Sequence, residues 1–371
     1  MKNRRLSTFD LQRRPARLSS RFNHKGTKAR RGFLFRFFFF LFPFSLFLFP
    51  CGPVSAKADF EVEAERSVVA FFTGNTYGTM GRSSCTDPQL GGFERRITFI
   101  RRHVKSRRNA LLLDAGNLFN CNCEHERLKS QFMVAALNTM GYDALALGPK
   151  DFTFGLEYLK RLQEKARFPF LCANLLDAKT RAPVFDPFLL RGTTQATILV
   201  TGVISSNQAK FIVDWTKDNA GNPTVELEEP VQALSQALAS HAMRASVVIV
   251  LAQMSLAEAL ALAEKVPRIN LIILSDRNNK EDLTHGATII ASVGTKSKSV
   301  KEATLFLNKA GKAGRYNIER FPIVQQMEHS YSIVRLYEQL ADASKSLGPA
   351  DFIQPTFYVE QSIYDEPKAS H

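Results

Sequence analysis

Between residues 66 and 308, short apolar runs that stop at a small or polar residue alternate with stretches whose apolar residues recur every three or four positions. Ser67 to Thr73 is a β-rich run ending at Gly74. After Gly91-Gly92, Phe93, Ile97, Ile100 and Val104 fall on one helical face. Ala110 to Leu113 runs into Asp114-Ala115-Gly116, and Leu128 to Met140, with Phe132, Ala135 and Ala136 on its apolar face, predicts a second helix stopped by Gly141. Ala144 to Leu147 before Gly148, the helix Leu156 to Ala166, and Phe170 to Ala173 before Asn174 repeat the unit. Thr197 to Ile204 reads as a strand, Asp214 to Pro223 as a polar loop and Val231 to Met243 as a helix. Val247 to Ala252, Leu256 to Lys265, Leu271 to Leu274, Ala287 to Ala291 and Ala303 to Leu307 resume the alternation, and Gln325 to Leu347 predicts a C-terminal helix. Continuous apolar runs bounded by helices indicate strands buried on both faces, with sites in the loops at their C-terminal ends. The expected class is α/β.

Charge changes the picture only once it is located. The formal net charge is +14, but residues 1–58 hold 13 Lys and Arg against the single acid Asp10, leaving 36 basic and 34 acidic residues beyond them. A groove tracking phosphates needs clustered cations in the folded part, so no nucleic-acid partner is expected. The helix carrying Arg95, Arg96, Arg101 and Arg102 reads as a solvated face. Phe37 to Pro50 is an apolar run of 14 residues, preceded by Arg30, Arg31 and Arg36 and followed by Val54-Ser55-Ala56-Lys57-Ala58. A charged region, an apolar run of this length and an Ala-x-Ala exit form a signal peptide pattern, whereas a spanning helix needs about 20 apolar residues. The expectation is an exported protein, periplasmic or extracellular, cleaved after Ala58. The membrane enters only through this segment, or through a lipid anchor on Cys51 in the alternative reading. The expected organisation is a signal peptide over 1–58, an α/β domain over 59–312 and a C-terminal helical extension and tail over 313–371.

Export gives Cys85, Cys121, Cys123 and Cys172 an oxidising compartment, where an even count reads first as disulfides. Cys121-Asn122-Cys123 is too tight to close easily on itself, so one of the pair is expected to reach Cys85 or Cys172; loops at one edge of a parallel sheet make Cys85 to Cys121 or Cys123 the leading bridge. A tetrathiolate metal site requires all four to converge.

Several motifs then stand in a specific order: Thr73-Gly74-Asn75-Thr76-Tyr77-Gly78, Gly91-Gly92-Phe93-Glu94-Arg95, Asp114-Ala115-Gly116-Asn117, Met140-Gly141-Tyr142-Asp143-Ala144, Gly148-Pro149-Lys150-Asp151-Phe152-Thr153-Phe154-Gly155 and Ala173-Asn174. Leu251-Ala252-Gln253 and Leu274-Ser275-Asp276-Arg277-Asn278 follow. In this framework residues 66–308 resemble the calcineurin-like metallophosphoesterases, nearest the exported 5'-nucleotidase branch. The resemblance implies a layered sandwich of two mixed β-sheets flanked by helices. In that family two divalent metals share a carboxylate and are completed by His, Asp and Asn, which generates a hydroxide nucleophile and clamps the phosphoryl oxygens.

The positions that match those ligands are Asn75, Tyr77, Asn117, Pro149, Lys150, Gln253, Asp276 and Asn278. Their summed formal charge is zero, against the four positive charges of two metals. Amides are weak uncharged ligands, Pro149 has no side-chain donor, and Lys150 sets a cation where a metal would sit, with pairing to a carboxylate as its expected role. Asp114, Asp151 and Asp276 read as caps or surface charges, with a rearranged single-metal site as the alternative. His103, His125, His241 and His285 match no family ligand. No catalytic residue and no cofactor are expected, and a divalent metal pair only if the protein is active. The leading expectation is a non-catalytic metallophosphoesterase-fold protein that binds or scaffolds an unknown protein or small-molecule ligand. The alternatives are a 5'-nucleotidase-like phosphoesterase with a rebuilt site and a thiol-based metal or redox protein.

Overall fold

The computed structural model describes residues 66–82, 88–107, 109–241, 245–308 and 313–346. The predicted export segment with Cys51 and Ala58, and also Cys85, lie outside the described residues. Strand β1 (Ser67–Thr73) is followed by helix α1 (Phe93–His103), β2 (Ala110–Asp114), α2 (Glu124–Met140), β3 (Ala144–Ala146), a 3-10 turn over Pro149–Phe154, α3 (Leu156–Lys165) and β4 (Phe170–Leu171). Then come β5 (Leu175–Asp177), β6 (Phe188–Gly192), β7 (Thr197–Ile204), α4 (Ala209–Trp215), β8 (Val225–Leu227) and α5 (Pro230–His241). The chain continues through β9 (Val247–Gln253), α6 (Leu256–Lys265), β10 (Leu271–Leu274), β11 (Leu283–His285), β12 (Thr288–Ser292), β13 (Ser299–Leu307), β14 (Ala313–Pro322) and α7 (Tyr331–Ser346).

Two six-stranded mixed sheets form, in the orders β14-β13-β1-β2-β3-β4 and β11-β12-β10-β9-β7-β6, with β5 and β8 paired apart from them. The first is parallel from β1 to β4 and antiparallel at β13 and β14. The two sheets face each other. Val68, Ala70 and Phe72 of β1 and Leu111 and Leu113 of β2 pack with Ile198, Val200, Ile249, Leu251 and Ile273 of the second sheet. The alternate residues, Phe71 and Leu112, point the other way into a layer built with α1, α2, α3 and α7. On the far side of the second sheet, Leu199, Val248, Val250 and Ile272 meet α5 and α6. Strands therefore need apolar residues at every position, because period-two alternation here divides them between two cores. Each fully buried Val, Leu, Ile or Phe contributes roughly 1.5–3 kcal/mol.

Four differences from the sequence reading have physical causes. Helix α2 begins at Glu124, a turn before the first apolar residue Leu128, because its opening turn is polar and exposed. Residues 313–322, expected to open a helical extension, form β14, an edge strand whose mostly exposed side chains give no apolar signal. Helix α7 starts at Tyr331 and not at Gln325, and its Ile333, Leu336 and Leu340 enter the first core. The arginines of α1 do not share one solvated face: Arg101 and Arg102 are exposed, but Arg95 and Arg96 are 1% and 0% exposed. Among the described residues no helix is long and apolar enough to cross a membrane.

Candidate functional site

The loops that leave β1 and β2 run side by side past the end of the sheet. Asn75 N–H donates to Gly116 O at 2.8 Å, Tyr77 N–H to Asn117 O at 2.9 Å and Gly78 N–H to Leu118 O at 2.8 Å. Within them Asn75, Tyr77 and Asn117 all adopt left-handed backbone, with φ of 52°, 48° and 54°. Asn tolerates that region, whereas a bulky Tyr there is an outlier, and such strain costs about 1–3 kcal/mol per residue. Three matched ligand positions thus sit on backbone held in unusual conformations. Gly116, at φ 86°, fixes the approach of the neighbouring loop: a Cβ there would stand 2.6 Å from Ala146 O and 2.8 Å from Gly148 N.

The side chains form a closed amide cluster. Asn75 Oδ1 accepts from Tyr77 OH at 2.9 Å, from Asn117 Nδ2 at 3.0 Å and from Ser275 Oγ at 2.9 Å. Asn117 Nδ2 also donates to Gln253 Oε1 at 2.8 Å, while Asn117 Oδ1 accepts from Lys150 N–H at 3.1 Å. Gln253 Nε2 donates to Ala115 O. Reversing the Asn75 amide would set two NH2 groups against each other, so the network fixes its orientation. Asn75 Nδ2 and Thr76 Oγ1 remain buried without a partner. Burial pushes the Tyr77 phenol up, so that it stays a neutral donor.

A carboxylate beneath this cluster ties its loops together. Asp151 Oδ2 accepts from Asn117 N–H at 2.9 Å and Gly148 N–H at 2.8 Å, and Oδ1 accepts from Leu118 N–H at 2.7 Å and Phe119 N–H at 3.2 Å. Burial pushes its carboxyl up to about 7, opposed by these N–H donors. A second buried chain runs from Arg96 Nη1 to Tyr142 OH (3.2 Å), on to Thr73 Oγ1 (2.8 Å) and to Asp114 Oδ2 (2.6 Å). Burial raises the Asp114 carboxyl, against the hydrogen bond from Thr73 and the charge of Arg96. The Gly148-x-x-Asp151 spacing was the available signal for the first arrangement; nothing in the local sequence marks Arg96 as buried.

The side chains of the other matched positions are not drawn into the amides. Pro149 opens the 3-10 turn. Lys150 is half-buried with its ammonium 5.4 Å from the Phe211 ring centre, so a cation–π contact replaces the expected carboxylate pairing. Asp276 caps, accepting from Leu256 N–H at 3.2 Å and Asn278 N–H at 2.9 Å, and the Asn278 side chain is exposed. The Arg277 guanidinium lies 5.1 Å from the Tyr77 ring centre. His103 stacks on Phe99, His285 stands 3.2 Å from Glu264, His125 is exposed, and the side chain of His241 lies outside the described residues. Cys121 and Cys123 are exposed and free with their sulfurs 2.7 Å apart, and Cys172 is buried. A bend at Asn122 brings the two sulfurs into contact without a bond between them.

This donor set does not fit a divalent metal pair. The oxygens of Asn75, Asn117 and Gln253 already accept N–H or O–H donors, and of the two partnerless groups beside them Asn75 Nδ2 is itself a donor and Thr76 Oγ1 a single neutral hydroxyl. Among the described residues no three His, Cys, Asp or Glu side chains converge on a cation position. Two cavities, of about 420 and 590 Å³, are lined by none of the eight matched residues.

No family model matches the chain. Its sequence is similar to a 2',3'-cyclic-nucleotide 2'-phosphodiesterase/3'-nucleotidase of Salmonella typhimurium, 42% identical over 59 residues, which are 16% of this chain and 9% of that protein. Its structure is similar to a 5'-nucleotidase precursor from Thermus thermophilus, with TM-score 0.63, 18% identity, and 76% of this chain and 59% of that one covered. It is likewise similar to the calcineurin-like phosphoesterase YfkN from Bacillus subtilis, with TM-score 0.61, 18% identity and coverage of 76% and 98%. The matched segments span 9% of the length of that Salmonella typhimurium protein and 31% of a protein UshA of Salmonella pullorum, to which the chain is 25% identical over 178 residues.

Proposed function

Because these neighbours point to the calcineurin-like phosphoesterase superfamily, in its 5'-nucleotidase branch, we propose that this chain is an exported, non-catalytic member that keeps the cleft and binds a ligand there without metal. The observation that carries the reading is the hydrogen-bonded cluster in which Asn75, Tyr77, Asn117 and Gln253, at positions that match family ligands, bond to one another and to the neighbouring Ser275. A dimetal site needs carboxylates to offset four positive charges and a metal-bound water to ionise near neutral pH. Neutral amides saturated by one another supply neither. The cluster instead offers an unpartnered donor at Asn75, with Lys150 and Arg277 bringing positive charge to the same loops. That combination suits an anionic ligand of the phosphate-ester class, held by hydrogen bonds and charge.

The test measures the metal content of the purified chain and its turnover of AMP and a generic phosphodiester with Mn²⁺, Zn²⁺, Co²⁺ or Mg²⁺. The expected result is no stoichiometric metal and no metal-dependent turnover by folded protein. Turnover that depends on metal and is lost in Asn117→Ala or Asp276→Ala would establish a rebuilt hydrolase and overturn the reading.

A further inference from the structure

The loop between β2 and α2 carries a second chemistry, apart from the amide cluster. Its near end is anchored where Leu118 and Phe119 N–H groups donate to Asp151, and its far end where Arg127 N–H donates to Cys123 O in the first turn of α2. Cys123 is the cap residue of that 17-residue helix, in extended backbone at φ −130° and ψ 155°. Between these fixed ends the Cys121 and Cys123 sulfurs stand 2.7 Å apart, both exposed to solvent. That separation exceeds the roughly 2.05 Å of a disulfide bond but is near enough for closure with little movement of the loop. The hydrogen-bonding contact with Cys123 pushes the Cys121 thiol up. Cys172 is a contrast: it is fully buried, its thiol is pushed up to about 12, and its sulfur faces Asn174 Oδ1 at 3.7 Å.

We propose that Cys121 and Cys123 form a reversible, solvent-facing dithiol–disulfide couple that exchanges with disulfides of the glutathione type. One cysteine attacks as its thiolate a sulfur of RS–SR, forming a mixed disulfide and releasing one RS⁻, which takes up a proton. The second cysteine thiolate attacks the protein sulfur of that mixed disulfide, closes the Cys121–Cys123 bond and releases the second RS⁻. The protein loses two electrons and two protons, and RS–SR becomes two RSH. The ring closed through a single intervening residue is small and exposed, which are properties of labile and not of structural disulfides. A metal-binding role for the pair is disfavoured, since no third His, Cys, Asp or Glu joins it among the described residues.

The experiment incubates the folded chain in glutathione buffers from reducing to oxidising, quenches it with an alkylating agent, and analyses by mass spectrometry the peptide spanning Cys121 and Cys123. The expected result is a passage from doubly alkylated to internally bridged peptide, restored by dithiothreitol, without a lasting glutathione adduct. Cys121→Ser and Cys123→Ser, checked by circular dichroism to be folded, should each accumulate the adduct on the remaining cysteine. A bridge from Cys85 to either residue, a stable adduct on the unaltered chain, or a peptide still fully alkylated in the most oxidising buffer would each overturn the proposal.

Discussion

Asp151 holds the loops after β2 and β3 together by accepting four backbone N–H groups, with no partner side chain. An asparagine there can accept at only one of its two terminal atoms. Asp151→Asn therefore leaves two buried N–H groups facing an NH2, and a loss of roughly 2–6 kcal/mol is expected in urea denaturation. The same residue sets a pH dependence. Its carboxyl is pushed up to about 7 in the folded chain, against about 3.9 when unfolded. Between those values the folded chain holds a proton that the unfolded chain has released, so stability should fall as pH rises from about 4 to 7. Thermal denaturation across that window should show this decline in the parent chain and a flatter profile in Asp151→Asn. Gly116→Ala should cost about 3 kcal/mol or more, because it combines left-handed backbone with a Cβ pressed against Ala146 O; a denaturation midpoint equal to the parent's would contradict that. The matched ligand positions were legible in the sequence because the glycines and Asn residues that hold their backbone survive there. Arg96 was not, since burial of an arginine depends on Tyr142 and Phe93 arriving in space.

Elements with two buried faces were easy to read, and those with one were not. Strands β1, β2, β7, β9 and β10 are mostly apolar because each divides its residues between two cores, and their limits in the sequence fall within a residue or two of those observed. Strand β14 escaped because only its partnership with β13 makes it a strand. Helix α7 was recognised, but its role was not: Tyr337 OH donates to Met80 O at 2.8 Å and lies 2.8 Å from Glu94 Oε2, joining the helix to the start of α1. Leu336, 1% exposed, packs in the same core. Leu336→Ala should therefore cost about 2–5 kcal/mol, the penalty of a cavity in a shared core. A cost near zero in urea denaturation would mark α7 as an appendage.

The charge of the chain is uneven along its length, and that asymmetry favours export over nucleic-acid binding as the reason for the basic front. N-terminal sequencing of protein recovered from the cell envelope should return Asp59 as the first residue. A lipid-bearing Cys51 or an intact Met1 would refute that site.

Strand β1 lies between β2, which follows it closely, and β13, whose Phe306 pairs with Ser67 across 239 positions of sequence. At the roughly 5–20 residues per second of synthesis, that second neighbour emerges roughly 10–40 s after the first. Until then β1 presents an unpaired apolar edge, open to pairing with other chains. Completion of the sheet is thus tied to the clock of translation. A nascent chain of this protein has reason to be held by a chaperone, or threaded through a membrane pore, before it is allowed to fold.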